Sequence, residues 1–185
     1  MNQQRHLVED YVKVAANFHM GLECGSKPEL LIVLAMMDDP QALILCNGYK
    51  DNEFIETALM AKRLGRNPII VVEKFSEFKL VCDVADRVGV APVIGMRAKL
   101  ASKGAGRWEG SAGDRAKFGL TVGEMVEGIK YLKERNRLDS MQLLHFHIGS
   151  QVSAIRSVKP GTDRVLVPKV QRRCSARTLR FRSKS

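Results

Sequence analysis

Leu144-His145-Phe146-His147-Ile148-Gly149-Ser150-Gln151 is an apolar run carrying two alternating histidines and closed by a glycine-serine turn. In a strand, side chains two positions apart share a face. His145 and His147 therefore point one way, with Phe146 and Ile148 opposite. Gly149 lets the backbone turn tightly, and Ser150 then offers a hydroxyl and an amide to an anion or a polar ligand. A strand end carrying such groups is where β/α enzymes keep their chemistry. The plain alternative is a single hydrogen-bonded core histidine, and the surrounding chain has to decide between them.

Upstream of that strand, helix and strand patterns alternate. Leu7, Val8, Tyr11, Val12 and Ala15 recur at helical spacing, and Phe18 to Glu23 reads as a short strand. Ser26-Lys27-Pro28-Glu29 is a capping-box pattern with proline in the first turn, opening a helix through Met37. Ala42 to Cys46 is a buried-strand run, and Asn52 to Leu64 a helix that ends at Gly65. Ile69 to Val72 predicts a strand, Ser76 to Val88 a helix and Pro92 to Met96 a strand. Thr121-Val122-Gly123-Glu124 caps another helix, running to Arg135, before the strand Met141 to Phe146.

Strands this apolar, separated by helices, imply a parallel sheet covered by helices, either doubly wound or part of a barrel. No GxGxxG or GxxxxGK[ST] follows a strand, which argues against the nucleotide-binding versions. Glu23, Asn47, Glu73, Arg97 and His147 recur at successive C-terminal strand ends, a placement that suits a (β/α) barrel. Singly, each is also explained as a cap, a solvated rim residue or an ion pair. The segment from Ala101 to Gly119, with Trp108 inside it, is long for a β/α connection, and such loops often serve as lids or binding loops.

The formal charge of +10 is concentrated at one end. Residues 156–185 hold ten Lys and Arg against the single acid Asp163, whereas residues 1–155 hold twenty bases and nineteen acids. The expected organisation is a near-neutral domain over 1–155 and a basic, disordered tail over 156–185. With Phe181 as its one aromatic, the tail is a poor platform for stacking on bases, so nucleic acid is not the expected partner. No apolar run reaches the ~20 residues of a membrane span, and the first residues lack the apolar core of a signal peptide. Cysteines at 24, 46, 82 and 174 show no CxxC spacing, so neither a zinc site nor a disulfide framework is implied, and a reducing cytoplasm is the simplest location.

Taken together, the segments resemble the biosynthetic arginine decarboxylases, pyridoxal-phosphate enzymes of the alanine-racemase-like barrel class. The resemblance rests on Asn2 to Arg5, Gly21 to Leu30, Cys46-Asn47-Gly48-Tyr49-Lys50-Asp51, Ile94 to Leu100, Lys117 to Leu120 and Leu143 to Gln151, in the family's order and spacing. Cys24 stands where the family more often has alanine. The resemblance implies a partial (β/α)8 TIM-type barrel of about five β/α units. It implies pyridoxal 5'-phosphate as cofactor and L-arginine as substrate, and it leaves any Mg2+ requirement open. By the same resemblance His147 lies against the pyridine ring, Ser150 helps hold the phosphate, Arg97 lies near the phenolic side and Glu23 supports the site. His145 would stand behind His147.

The family reaction removes the α-carboxylate of L-arginine as carbon dioxide and leaves agmatine, which feeds putrescine and spermidine synthesis. The family's Schiff-base lysine sits in a Tyr-Pro-Ile-Lys-Val-Asn-Gln-type segment, expected here upstream of Met1, so no residue of this chain is assigned a catalytic role. Lys50 and Lys99 could approach the same strand ends but read as ordinary rim lysines. The later strands, the glycine-rich phosphate loop and the β-domain of the class are not recognisable after Gln151 to Arg156. The expectation is a truncated decarboxylase, inactive by itself, with open sheet edges, apolar helix faces lacking partners and a tendency to aggregate. Two alternatives stay open: a partial barrel that joins a full-length subunit or its own copies, and a fragment of an ornithine, lysine or diaminopimelate decarboxylase.

Overall fold

The computed structural model describes residues 4–99, 118–147 and 178–180. They fall into two compact units, residues 1–71 with 79–93 and residues 72–78 with 94–185.

The first unit is a run of β/α repeats. Helix α1 (Arg5–Ala15) leads to β1 (Leu22–Cys24), α2 (Lys27–Met36), β2 (Leu43–Cys46), α3 (Asn52–Arg63) and β3 (Asn67–Val72), whose last residue belongs to the second unit. The strands are parallel, with Leu22 opposite Ile44, Cys24 opposite Cys46, and Cys46 opposite Ile70. From Pro68 to Val72 every residue of β3 is buried, as a strand covered on both faces requires. On α3, Phe54, Ile55, Ala58 and Leu59 form the buried stripe. The Ser26 cap is the one the sequence signals, and Asp51 adds a second. Ser26 Oγ accepts from the Glu29 N–H at 3.4 Å, with the Glu29 carboxylate taking the Gly25 N–H at 2.7 Å, and Asp51 Oδ1 accepts from the Phe54 N–H at 2.7 Å.

The first strand is shorter than the sequence predicts. Ala16–Phe18 continue α1 as a 3-10 turn, and His19 is left-handed at φ 52°. Only Leu22–Cys24 find a paired neighbour, β2, so the apolar character of Phe18 and Met20 alone makes no strand. The entry to β1 is tight. A Cβ on Gly21 would lie 1.9 Å from the Leu43 carbonyl oxygen, so glycine is required on steric grounds.

The second unit holds β4 (Ile94–Ala98), α5 (Val122–Glu134) and β5 (Met141–Phe146), while α4 (Phe75–Val88) begins in this unit and ends in the first. β4 and β5 are parallel, with Arg97 opposite His145. Thr121 and Glu124 form a complete capping box at the start of α5. Phe75 packs at 6.1 Å from both Phe78 and Tyr131. The α/β alternation expected from the sequence is therefore what forms.

The basic tail contributes one described segment. Thr178–Arg180 form β6, antiparallel to β5, with Leu143 opposite Arg180 and His145 opposite Thr178. The outer edge of β5 offers unpaired backbone groups, and any extended segment can satisfy them. The remaining tail residues lie outside the described ones, as do Trp108 and most of the long segment around it.

Several apolar helix faces remain open to solvent among the described residues. Leu7, Tyr11 and Val14 on α1, Leu31 and Ile32 on α2, and Val122, Val126 and Ile129 on α5 are all exposed. No described helix is long and apolar enough to cross a membrane.

Candidate functional site

Each polar residue picked out by strand-end recurrence does stand at the C-terminal end of a strand. Glu23 lies in β1 and Arg97 in β4, and Asn47, Glu73 and His147 directly follow β2, β3 and β5.

In the second unit the central feature is an ion pair. Arg97 Nη1 donates to Glu73 Oε1 at 2.6 Å. The Glu73 main-chain N–H is in turn held by Glu77 Oε2 at 2.6 Å, and both carboxylate residues are buried. The backbone of Arg97 is fixed as firmly as its side chain. Its carbonyl accepts from the Leu120 N–H at 2.7 Å, while the Lys99 N–H donates to the Leu120 carbonyl at 2.9 Å. Gly119 makes this return possible, with φ +98° and space for a Cβ only 3.2 Å from the Arg97 oxygen. The preceding Phe118 places its ring 5.6 Å from the guanidinium carbon, within cation–π range.

Arg97 and His145 are register partners and so share a face of the β4/β5 pair. His145 is buried, whereas His147, beyond the strand, is exposed. Ser150, the fourth predicted ligand residue, lies outside the described residues. A guanidinium has five N–H donors, and apart from Nη1 those of Arg97 have no protein acceptor among the described residues. An anchored cation on β4 and an accessible imidazole just past the end of the neighbouring β5 are groups suited to a planar, anionic ligand.

In the first unit Glu23 is exposed, and its side chain makes no hydrogen bond or ion pair among the described residues. Asn47 is 5% exposed, and neither its Nδ2 nor its Oδ1 has a partner there. A buried amide left unsatisfied costs ~1–3 kcal/mol, so Asn47 is placed to receive a further polar group. Lys50 corrects the sequence reading. It is 2% exposed rather than a rim residue, and its Nζ donates to the Gly48 carbonyl at 2.5 Å. A cavity of about 770 Å³ lies between α1, α2 and β1, lined largely by Val8, Val12, Leu22, Ile32, Val33 and Met36.

Sequence reasoning named Glu73 without finding its partner, because the two residues are 24 apart and meet only through tertiary placement. The buried state of Asn47 and Lys50 had a weak signal in the sequence, the Asn-Gly turn that folds the chain back over the end of β2.

Comparison with known proteins gives a consistent answer. The model for the pyridoxal binding domain of pyridoxal-dependent decarboxylases matches residues 2–176. A biosynthetic arginine decarboxylase of Gloeobacter violaceus is 57% identical over 159 residues, covering 86% of this chain and 25% of that protein. The corresponding protein of a Nostoc species is 53% identical over 158 residues, covering 85% and 23%. The chain thus spans about a quarter of the length of the curated relatives it matches. Among solved structures, the biosynthetic arginine decarboxylase SpeA of Campylobacter jejuni superposes with a TM-score of 0.77 at 33% identity, over 88% of this chain and 26% of that one. A diaminopimelate decarboxylase of Helicobacter pylori, at 23% identity and a TM-score of 0.70 over 85% and 39%, shares the fold. The parallel β/α arrangement is therefore part of a TIM-type barrel.

Proposed function

The chain belongs to the pyridoxal-dependent decarboxylases, through the pyridoxal binding domain of that family, and we propose that it supplies cofactor-binding wall to an L-arginine decarboxylase of the cytoplasm. The whole reaction would convert L-arginine to agmatine and carbon dioxide. Bound pyridoxal phosphate supplies the electron sink for the carbanion that decarboxylation leaves.

The observation that carries this reading is the Arg97 guanidinium, anchored by a buried carboxylate yet still offering donors, on the strand paired with the one that ends at exposed His147. Arg97 would hold an anionic oxygen of the cofactor, and the flat imidazole of His147 would lie against its ring. Ser150 would add a hydroxyl to the phosphate, and Glu23 would support the site from β1. Glu73 keeps Arg97 from swinging away, while the Leu120 pairing fixes the strand that carries it. Arginine rather than ornithine, lysine or diaminopimelate as substrate is supported by the 57% and 53% identities to relatives of that name.

Titration of the full chain with pyridoxal 5'-phosphate, read by quenching of the single tryptophan, tests the proposal. Saturable quenching is expected, weakened about tenfold or more by His147→Ala or Arg97→Lys and by using pyridoxal without its phosphate, as loss of a charge-assisted hydrogen bond predicts. Quenching that is linear in ligand, or that ignores both substitutions and the phosphate, overturns it.

A second reading is association with a complete decarboxylase subunit, motivated by the apolar cavity beside β1, which has β2 as its one bonded neighbour among the described strands. Co-purification with a full-length subunit under mild conditions would support it, and clean separation would count against it.

A further inference from the structure

The ends of β1 and β2 bring two thiols together. Cys24 and Cys46 are register partners, 0% and 1% exposed, and the Cys24 thiol points at Cys46 Sγ across 3.8 Å. Both are free. Neighbouring strands stand about 4.8 Å apart, inside the ~4.4–6.8 Å between Cα atoms that a disulfide bridges. The sulfurs must approach to about 2.05 Å, a closure that side-chain rotation can supply with the strand pairing intact.

We propose that Cys24 and Cys46 form a closable dithiol, a modification site oxidised to an intramolecular disulfide by a low-molecular-weight disulfide such as oxidised glutathione. The step balances as two exchanges. One cysteine, as thiolate, attacks the small disulfide, forming a mixed disulfide and releasing one glutathione thiolate. The second cysteine loses its proton and attacks the protein sulfur of that mixed disulfide, forming the Cys24–Cys46 bond and expelling the second glutathione. Two protein thiols are oxidised, one small disulfide is reduced to two thiols, and the protons pass to solvent or to the departing thiolates.

Burial sets when this happens. The hydrogen bond with Cys24 and the loss of hydration push the Cys46 thiol well above its ordinary pKa, with nearby Lys50 opposing the shift. In the closed structure Cys46 therefore rests as a thiol, and burial keeps both sulfurs from the oxidant. β1, however, is three residues long and, among the described strands, bonded only to β2, and a strand with so few ladder bonds opens locally more often than a core strand does. Once formed, the bond would fasten β1 to β2 next to Glu23 and Asn47.

The reduced full chain, incubated natively with excess oxidised glutathione, should be alkylated, digested without reductant and mapped by mass spectrometry. The expected product links the Cys24 peptide to the Cys46 peptide, with Cys82 alkylated. The same treatment in guanidinium chloride should give a mixture of pairings among all four cysteines. Cys24→Ser should abolish the linked product and leave Cys46 as a thiol or a mixed disulfide. The proposal is overturned if the native chain keeps Cys24 and Cys46 alkylated throughout, or if it yields the same mixture as the denatured chain. Because the wild-type pairing is read directly, misfolding of the variant would leave the test decisive.

Discussion

The Arg97 guanidinium is bonded to the Glu73 carboxylate at 2.6 Å, with the Glu73 side chain 4% exposed and that of Arg97 21%. A pair this poorly hydrated is held together as much by the cost of separating it as by its attraction. Arg97→Met leaves a buried carboxylate without its counter-charge and should lower stability by about 3 kcal/mol. Adding Glu73→Gln removes that charge and should recover part of the loss. Urea unfolding of the full chain checks both, and a double variant no more stable than Arg97→Met would show that packing, not charge, is what Arg97 contributes.

Gly128 in α5 shows the opposite of a glycine's usual weakness in a helix. A Cβ there would lie 2.7 Å from two ring atoms of Phe78, which is itself fully buried. Replacing helical glycine by alanine ordinarily gains up to ~1 kcal/mol. Gly128→Ala should instead destabilise by about 1–3 kcal/mol, as overpacking does. Pairing it with Phe78→Leu, which makes room for the methyl, should cost less than the two changes summed. Thermal melts of the three variants supply the comparison.

The capping box of α5 gives a pH signature. The main-chain N–H and then the hydroxyl of Thr121 donate to Glu124, holding its carboxyl below the ordinary glutamate range. A depressed folded-state pKa means stability that is present above the unfolded value and lost as pH falls through the folded one. Thr121→Ala should therefore cost about 1 kcal/mol at neutral pH, and the gap to wild type should shrink below about pH 4. Urea midpoints measured across that range would show the convergence; parallel curves would argue that the hydroxyl contributes without Glu124.

Val122, Val126 and Ile129 are 77%, 46% and 40% exposed and lie along one side of α5. Apolar stripes of this kind promote association. Val122→Glu with Val126→Lys places opposite charges at i and i+4, with the acid at the helix start, an arrangement that favours the helix slightly. Aggregation followed by light scattering should fall, while the unfolding midpoint stays within about 0.5 kcal/mol of wild type. Unchanged scattering would place the sticky surface elsewhere.

The β/α alternation was legible because each element carries its own local signal. Ser26, Asp51 and Thr121 each accept the N–H three residues on, as their positions before apolar helical patterns imply. What local signals do not carry is pairing. Phe18 and Met20 look as apolar as Leu22, yet a strand exists only where a neighbour bonds to it, and β2 reaches back only to Leu22. The same reason hid the partner of Glu73 and the burial of Lys50, whose long stem is covered although its charge reads as a surface feature. For the candidate site, positions at the strand ends were readable, but which of them are anchored and which are exposed was not.

The bonds between Leu120 and the two flanks of Ala98, at Arg97 and Lys99, bring the chain back to the point it left after β4. Bonds that pin both flanks make the length of the sequence joining them a nearly free variable, since each doubling of a closed loop costs only about 0.6 kcal/mol. Insertions, deletions or a grafted sequence between Lys99 and Phe118, with Phe118 and Gly119 kept, would leave the Arg97 guanidinium where it is. The scaffold thus separates what must stay fixed, Arg97, Phe118, Gly119 and Leu120, from what can be rewritten.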